Sequence, residues 1–165
     1  MGPNGKGKST LAFYLAGLLD DEEADFYLNG HALSAHDRLK QTAFVLQEVA
    51  LQLFSDSVQK ELTLGLKKVV DASNILEKLG LKGLEERHPM TLSGGEMQRL
   101  VIASQVLAQK RVFIFDEPSS GLDYQQMLQV ADLLKVLKEQ GKIILLISHD
   151  EELLEKTVDY FLTLN

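Results

Sequence analysis

The sequence predicts an α/β fold with a mainly parallel sheet, on three observations. Three continuous apolar runs have strand length: Thr42 to Leu46, Val112 to Phe115 and Ile143 to Ile147. Helical periodicities separate them, and the chain opens on a glycine-rich loop that runs straight into a helix. Runs apolar at every position suit strands covered on both faces, which is the environment of a parallel sheet. With 165 residues and 45% hydrophobic content the chain can bury one core, so residues 1–165 read as a single domain.

The opening stretch is Gly2-Pro3-Asn4-Gly5-Lys6-Gly7-Lys8-Ser9, followed by Thr10. Glycines at this spacing let the backbone curl and turn successive N–H groups onto phosphate oxygens. Lys8 adds a positive charge for the β and γ phosphates, Ser9 a hydroxyl for Mg²⁺, and the following helix points its positive end at the same anion. Such a loop normally follows a buried strand, and only Met1 precedes Gly2; the chain therefore reads as truncated at its front, with that strand missing. Leu11, Leu15, Leu18 and Leu19, with Ala12, Phe13 and Ala16, predict a buried helix.

Asp20 to Asp25 reads as a solvated acidic turn, Asp25 to Leu28 as a short strand closed by Asn29-Gly30, and His31 and His36 as solvated histidines in a polar stretch. The run Thr42 to Leu46 ends at Gln47, which either caps an edge or faces phosphate and Mg²⁺. From Ser57 to Leu84 the pattern is helical, punctuated by Gly80 and Gly83, and it belongs to a helical insertion over roughly residues 50–108. Ser93-Gly94-Gly95 then opens another helix; Ser93 with Glu96 fits a capping box, and the same turn presents free N–H groups to an anion.

The second apolar run delivers Asp116-Glu117 at its end. Adjacent carboxylates at the mouth of a buried strand are costly unless they bind a cation or do proton chemistry, so Asp116 suits a Mg²⁺ shell and Glu117 a general base. Asp123 starts a helix with Met127, Val130, Ala131, Leu134 and Leu137 on one face, ended by Gly141. The third run ends just before His149, and Asp159 to Leu164 reads as a last strand. In an open parallel sheet the carboxyl ends line the ligand crevice, so Gln47, Asp116, Glu117 and His149 are expected on the side of the phosphate loop.

Other function classes recede. A net charge of -7 argues against a nucleic-acid surface, and the absence of cysteine removes disulfides and thiolate chemistry. No apolar run approaches the roughly 18 residues that span a bilayer. A soluble cytoplasmic protein that sits against a membrane protein is the expectation.

These residues resemble the ATP-binding cassette (ABC) ATPases. Gly2 to Ser9 looks like the Walker A loop, Gln47 like the Q-loop, Leu92 to Arg99 like the signature sequence, Val112 to Glu117 like Walker B, Ser120 to Asp123 like the D-loop, and His149 like the switch histidine. The resemblance implies a P-loop NTPase core with a helical signature subdomain, here without the family's N-terminal antiparallel strands. It implies a dimer sandwiching two ATP molecules, each held by the Walker residues of one subunit (Asn4, Gly5, Gly7, Lys8, Ser9, Thr10) and by Ser93, Gly94 and Gly95 of the other. Ser9, Gln47 and Asp116 would hold Mg²⁺, Asp116 through water; Glu117 would be the base, His149 would contact the γ-phosphate, and Asp123 would meet the opposite subunit. Leu51 to Phe54, Ser57-Val58 and Glu61-Leu62 resemble the energy-coupling factor branch of cobalt and vitamin importers, although Glu48-Val49-Ala50 departs from its pattern. That branch implies a transmembrane coupling subunit and a substrate-capture subunit on the inner face of the cell membrane. A soluble cassette without a transport role, and a truncated cassette that folds without hydrolysing ATP, remain as alternatives.

Overall fold

The computed structural model describes residues 7–20, 23–66 and 70–163. Helix α1 (Lys8–Ala16) comes first, then the strands β1 (Tyr27–Leu28) and β2 (His31–Ala32), helix α2 (Ala35–Gln41) and β3 (Thr42–Val45). Helices α3 (Val58–Thr63), α4 (Ser73–Lys78) and α5 (Gly94–Leu107) precede β4 (Val112–Asp116). Helix α6 (Tyr124–Glu139), β5 (Ile143–Ile147) and α7 (Glu151–Thr157) follow.

The three apolar runs form one parallel sheet in the order β3-β4-β5, with Val45 opposite Phe115 and Asp116 opposite Ile147. All three strands point the same way, so Gln47, Asp116 and His149 leave at one end. On one face α5 and α6 bury Leu100, Ile102, Val130 and Leu134 against Phe113 and Phe115; on the other, α1 covers Phe44, Ile114 and Ile147. A buried leucine or phenylalanine contributes about 1.5–3 kcal/mol, so this two-sided burial is what holds the central strand.

Several expectations are corrected. Helix α1 is not buried throughout: Ala12 and Ala16 lie on the sheet at 0% and 1% exposure, while Leu15, Leu18 and Leu19 are largely exposed. The small side chains let α1 sit close, and Gly17, at φ 77, ends the helix before Leu18. Among the described residues of 57–84 the helical structure is broken into α3 and α4, because Gly65, Gly80 and Gly83 all take the left-handed conformation that closes a helical turn. The strand expected over Asp25–Leu28 is confined to Tyr27–Leu28 and pairs with His31–Ala32, so His31 lies in a strand. Asn29 at φ 51 and Gly30 at φ 78 form the tight turn between them. His36 lies on α2, a helix the sequence reading did not anticipate. Residues 159–163 form no strand: a strand needs a neighbouring edge as well as suitable residues, and Tyr160 there is 92% exposed.

The caps behave as their residues require. Glu96 N–H donates to Ser93 Oγ at 3.3 Å and Ser93 N–H to Glu96 Oε2 at 2.7 Å, a complete capping box on α5. Asp123 and Gln126 form the equivalent box on α6.

Two predictions follow from this packing. A Cβ on Gly17 would stand 2.2 Å from the Ala35 carbonyl oxygen, at a φ that L residues rarely take. Gly17→Ala should therefore lower the unfolding free energy in urea by about 2 kcal/mol or more, strain and clash adding. The Ser93 N–H and hydroxyl hold the Glu96 carboxyl below its ordinary range. A depressed carboxylate contributes stability above its unfolded pKa that is lost as pH falls through the folded one. The stability difference between wild type and Glu96→Gln should accordingly shrink between neutral and strongly acidic urea titrations.

Candidate nucleotide site

A cleft of about 430 Å³ opens where α1 begins and the sheet ends, lined by Gly7, Lys8, Ser9, Thr10, Gln47, Asp116, Glu117, Ser120, Ile147 and His149. Each group arrives by its own element: Lys8, Ser9 and Thr10 in the first turn of α1, Gln47 two residues past β3, Asp116 closing β4, and His149 two past β5. Gly7 precedes α1 at φ 78, a conformation that costs glycine nothing and turns the chain into the helix. Asn4 and Gly5 lie outside the described residues.

Ser9 and Asp116, far apart in sequence, meet directly: the Ser9 hydroxyl donates to Asp116 Oδ2 at 2.8 Å. Asp116 is only 6% exposed, so its carboxylate needs partners. The groups gathered there, a hydroxyl, a carboxylate and the Gln47 amide, are oxygen donors suited to a hard cation such as Mg²⁺. Mg²⁺ takes one or two protein carboxylates and completes its shell with water and phosphate oxygens, so the set fits. Among the described residues no cluster of three or more His, Cys, Asp or Glu offers a competing metal site.

Glu117 stands apart by its backbone. It is one of three non-glycine residues with positive φ among those described, at 51, a conformation worth about 1–3 kcal/mol of strain. Its N–H donates to the Ile147 carbonyl at 2.8 Å, and its carbonyl accepts from Ser120 N–H at 3.1 Å. The turn aims the carboxylate across the cleft mouth, where Oε2 accepts from Ser148 Oγ at 3.4 Å and from His149 N–H at 3.3 Å. His149 Nε2 lies 3.7 Å from Glu117 Oε1. The sequence names Ser120 only as the first residue of the D-loop-like stretch and does not single out Ser148, which is signalled only by its place beside His149.

Four anticipated residues do not line the cleft. Ser93 and Gly94 are exposed at the start of α5, and Asp123 is exposed at the start of α6. Gly95 faces α6: a Cβ there would meet Gln126 Oε1 at 2.9 Å and Leu122 Cδ2 at 3.2 Å. The signature turn and the segment before α6 thus touch each other within the chain. No described helix is long and apolar enough to cross a membrane.

Comparison with known proteins points to one family. The family model described as ABC transporter matches residues 1–120. An ABC transporter ATP-binding protein of Treponema denticola is 42% identical over 156 residues, covering 93% of this chain and 32% of that protein. The energy-coupling factor transporter ATP-binding protein EcfA1 of Thermotoga maritima is 36% identical over 163 residues, 94% of this chain and 62% of its own length. Among solved structures, a bacterial ABC transporter cassette determined as a dimer superposes with a TM-score of 0.78 at 25% identity, over 95% of this chain and 76% of that one. The chain spans 32% and 33% of the lengths of its two Treponema denticola relatives. With a family model matching well over half of its residues and its sheet superposing on a solved cassette, the chain belongs to the ABC transporter family and has the fold of that family's ATPase core.

Proposed function

We propose that the chain binds ATP with Mg²⁺ in this cleft and hydrolyses it to ADP and phosphate, and that the cleavage drives membrane transport. The observation that carries the reading is the convergence of Lys8, Ser9, Gln47, Asp116, Glu117 and His149, from four separate elements, on one cleft.

The roles follow from the chemistry of each group. Lys8 and the first turn of α1 draw the triphosphate by charge and by the N–H groups of the helix start, with Thr10 beside them. Ser9 and Asp116 would hold Mg²⁺, with Gln47 at its edge; bound there, the ion neutralises charge on the phosphate oxygens. Glu117 accepts the proton of the attacking water, and the N–H of His149 and the hydroxyl of Ser148 hold its carboxylate in place for that task. The His149 ring reaches toward the γ-phosphate.

The exposed Ser93-Gly94 turn, which lies off the chain's own cleft, supports a sandwich dimer in which it faces the nucleotide of a second ATPase subunit, identical or different, with Asp123 at the same interface. The dimeric cassette structure supports the same arrangement. The likeness to EcfA1 supports an energy-coupling factor complex importing a vitamin or transition-metal ion. In that complex a transmembrane coupling subunit and a substrate-capture subunit would hold the chain on the inner face of the membrane, and no nucleic acid takes part.

Phosphate release by purified protein with Mg²⁺ and ATP tests the reading. Glu117→Gln should lower the rate about 10²–10⁴-fold, the usual contribution of a general base, while ATP binding is retained and ATP-dependent dimers accumulate. No release and no nucleotide binding by the wild type would refute it.

A further inference from the structure

We propose that Gln52 is a positioning residue for Gln47, an amide clamp on the carboxyl end of β3; its catalytic consequence rests on the ATPase reading above. Gln52 Nε2 donates to the Phe44 carbonyl at 2.8 Å, and its Oε1 accepts from Leu46 N–H at 2.8 Å. In a parallel ladder, one residue of a neighbouring strand pairs with the carbonyl before and the N–H after the residue it faces. The Gln52 amide makes that same pair of bonds around Val45. It serves as a single rung of strand on the edge of β3 that does not face β4.

The position of this rung is what gives it a function. β3 ends at Val45, and the clamped N–H belongs to Leu46, the residue immediately before Gln47. Gln52 itself closes the 3-10 turn Val49–Gln52, so the chain leaves the strand, carries Gln47 at the cleft, and is fastened back to the strand five residues later. The outgoing side is pinned as well. Glu61, 3% exposed, accepts from Phe54 N–H at 2.9 Å and Ser55 N–H at 2.7 Å. Gln47 is exposed and begins a loop held by side chains that do not line the cleft. An amide that only satisfied a spare edge would have no particular relation to Gln47; this one holds the adjoining peptide.

Gln52→Met keeps the length and removes both bonds. Hydrogen exchange at the Leu46 and Gln47 amides should rise in this variant while Phe113 and Phe115 in β4 keep their protection. Turnover should fall about tenfold, the scale of one or two hydrogen bonds, with the KM for ATP little changed and the Mg²⁺ concentration for half-maximal rate raised. In a Gln47→Ala background the same substitution should cost less than about twofold, because Gln52 acts through Gln47. Losses that multiply in the double variant, or unchanged exchange at Leu46 and Gln47, would overturn the proposal. Should the wild type release no phosphate, the ATPase reading fails, and the exchange measurement alone decides the clamp.

Discussion

The hydrogen bond from Ser9 to Asp116 is the contact on which the rest of the structure turns. It joins the first turn of α1 to the end of the central strand, so that turn and the carboxylates from the middle of the chain share one cleft. A carboxylate at 6% exposure is stable only with donors or a cation beside it. The fold supplies one hydroxyl and an open cleft, a combination that leaves Asp116 receptive to a hard cation. The alanine face of α1 serves the same end: with Ala12 and Ala16 against the sheet, the helix lies near enough for Ser9 to reach β4.

Around that contact the parallel sheet acts as an aiming device. Its register sets Asp116 opposite Ile147, and the Glu117 N–H continues the pairing onto the Ile147 carbonyl. The chain then reverses through a left-handed residue, and the Glu117 carboxylate swings to the Ser148 hydroxyl and the His149 N–H. Strain at a single residue is tolerated when surrounding bonds over-determine it, and here the bonds of Glu117 to Ile147, Ser148 and His149 do so. A larger cavity beside β5, about 560 Å³, is lined by Leu134, Leu145, Val158 and Phe161 together with Lys138, Lys142, Glu151 and Asp159, and it shares Lys8, Ile147 and His149 with the cleft.

Much of this was legible in the sequence because it depends on local rules. Apolar runs of four or five residues suit buried strands, and in a parallel sheet the residues that follow them gather at one end; Gln47, Asp116, Glu117 and His149 do so. Ser93 with Glu96 needs three residues of spacing and nothing else. What was not legible depends on distant partners. Helix α2 carries no apolar stripe, since its one buried side chain is Arg38, tied to Asp20 and stacked over Phe26 at 3.7 Å, so no periodicity announced it. Leu15, Leu18 and Leu19 have helical spacing, but which side of a helix meets the sheet is decided by closeness of approach, and the alanines won. Tyr160 to Leu162 look like strand residues, yet residues 159–163 form no strand. Gln52 and Glu61 enter the sequence reading only through a branch resemblance and with no structural role, because the backbone groups they hold are brought to them only by the folded loop.

The account stands most directly on a cation shared between the serine and the aspartate. Equilibrium binding of ATP, measured with Mg²⁺ and with the metal chelated, separates the phosphate grip of the loop from the contribution of Asp116. The wild type should bind ATP more tightly with Mg²⁺, and Asp116→Asn should lose most of that gain while keeping its affinity for metal-free ATP. Equal affinity in both conditions for the wild type, or an undiminished Mg²⁺ effect in the variant, would contradict the account.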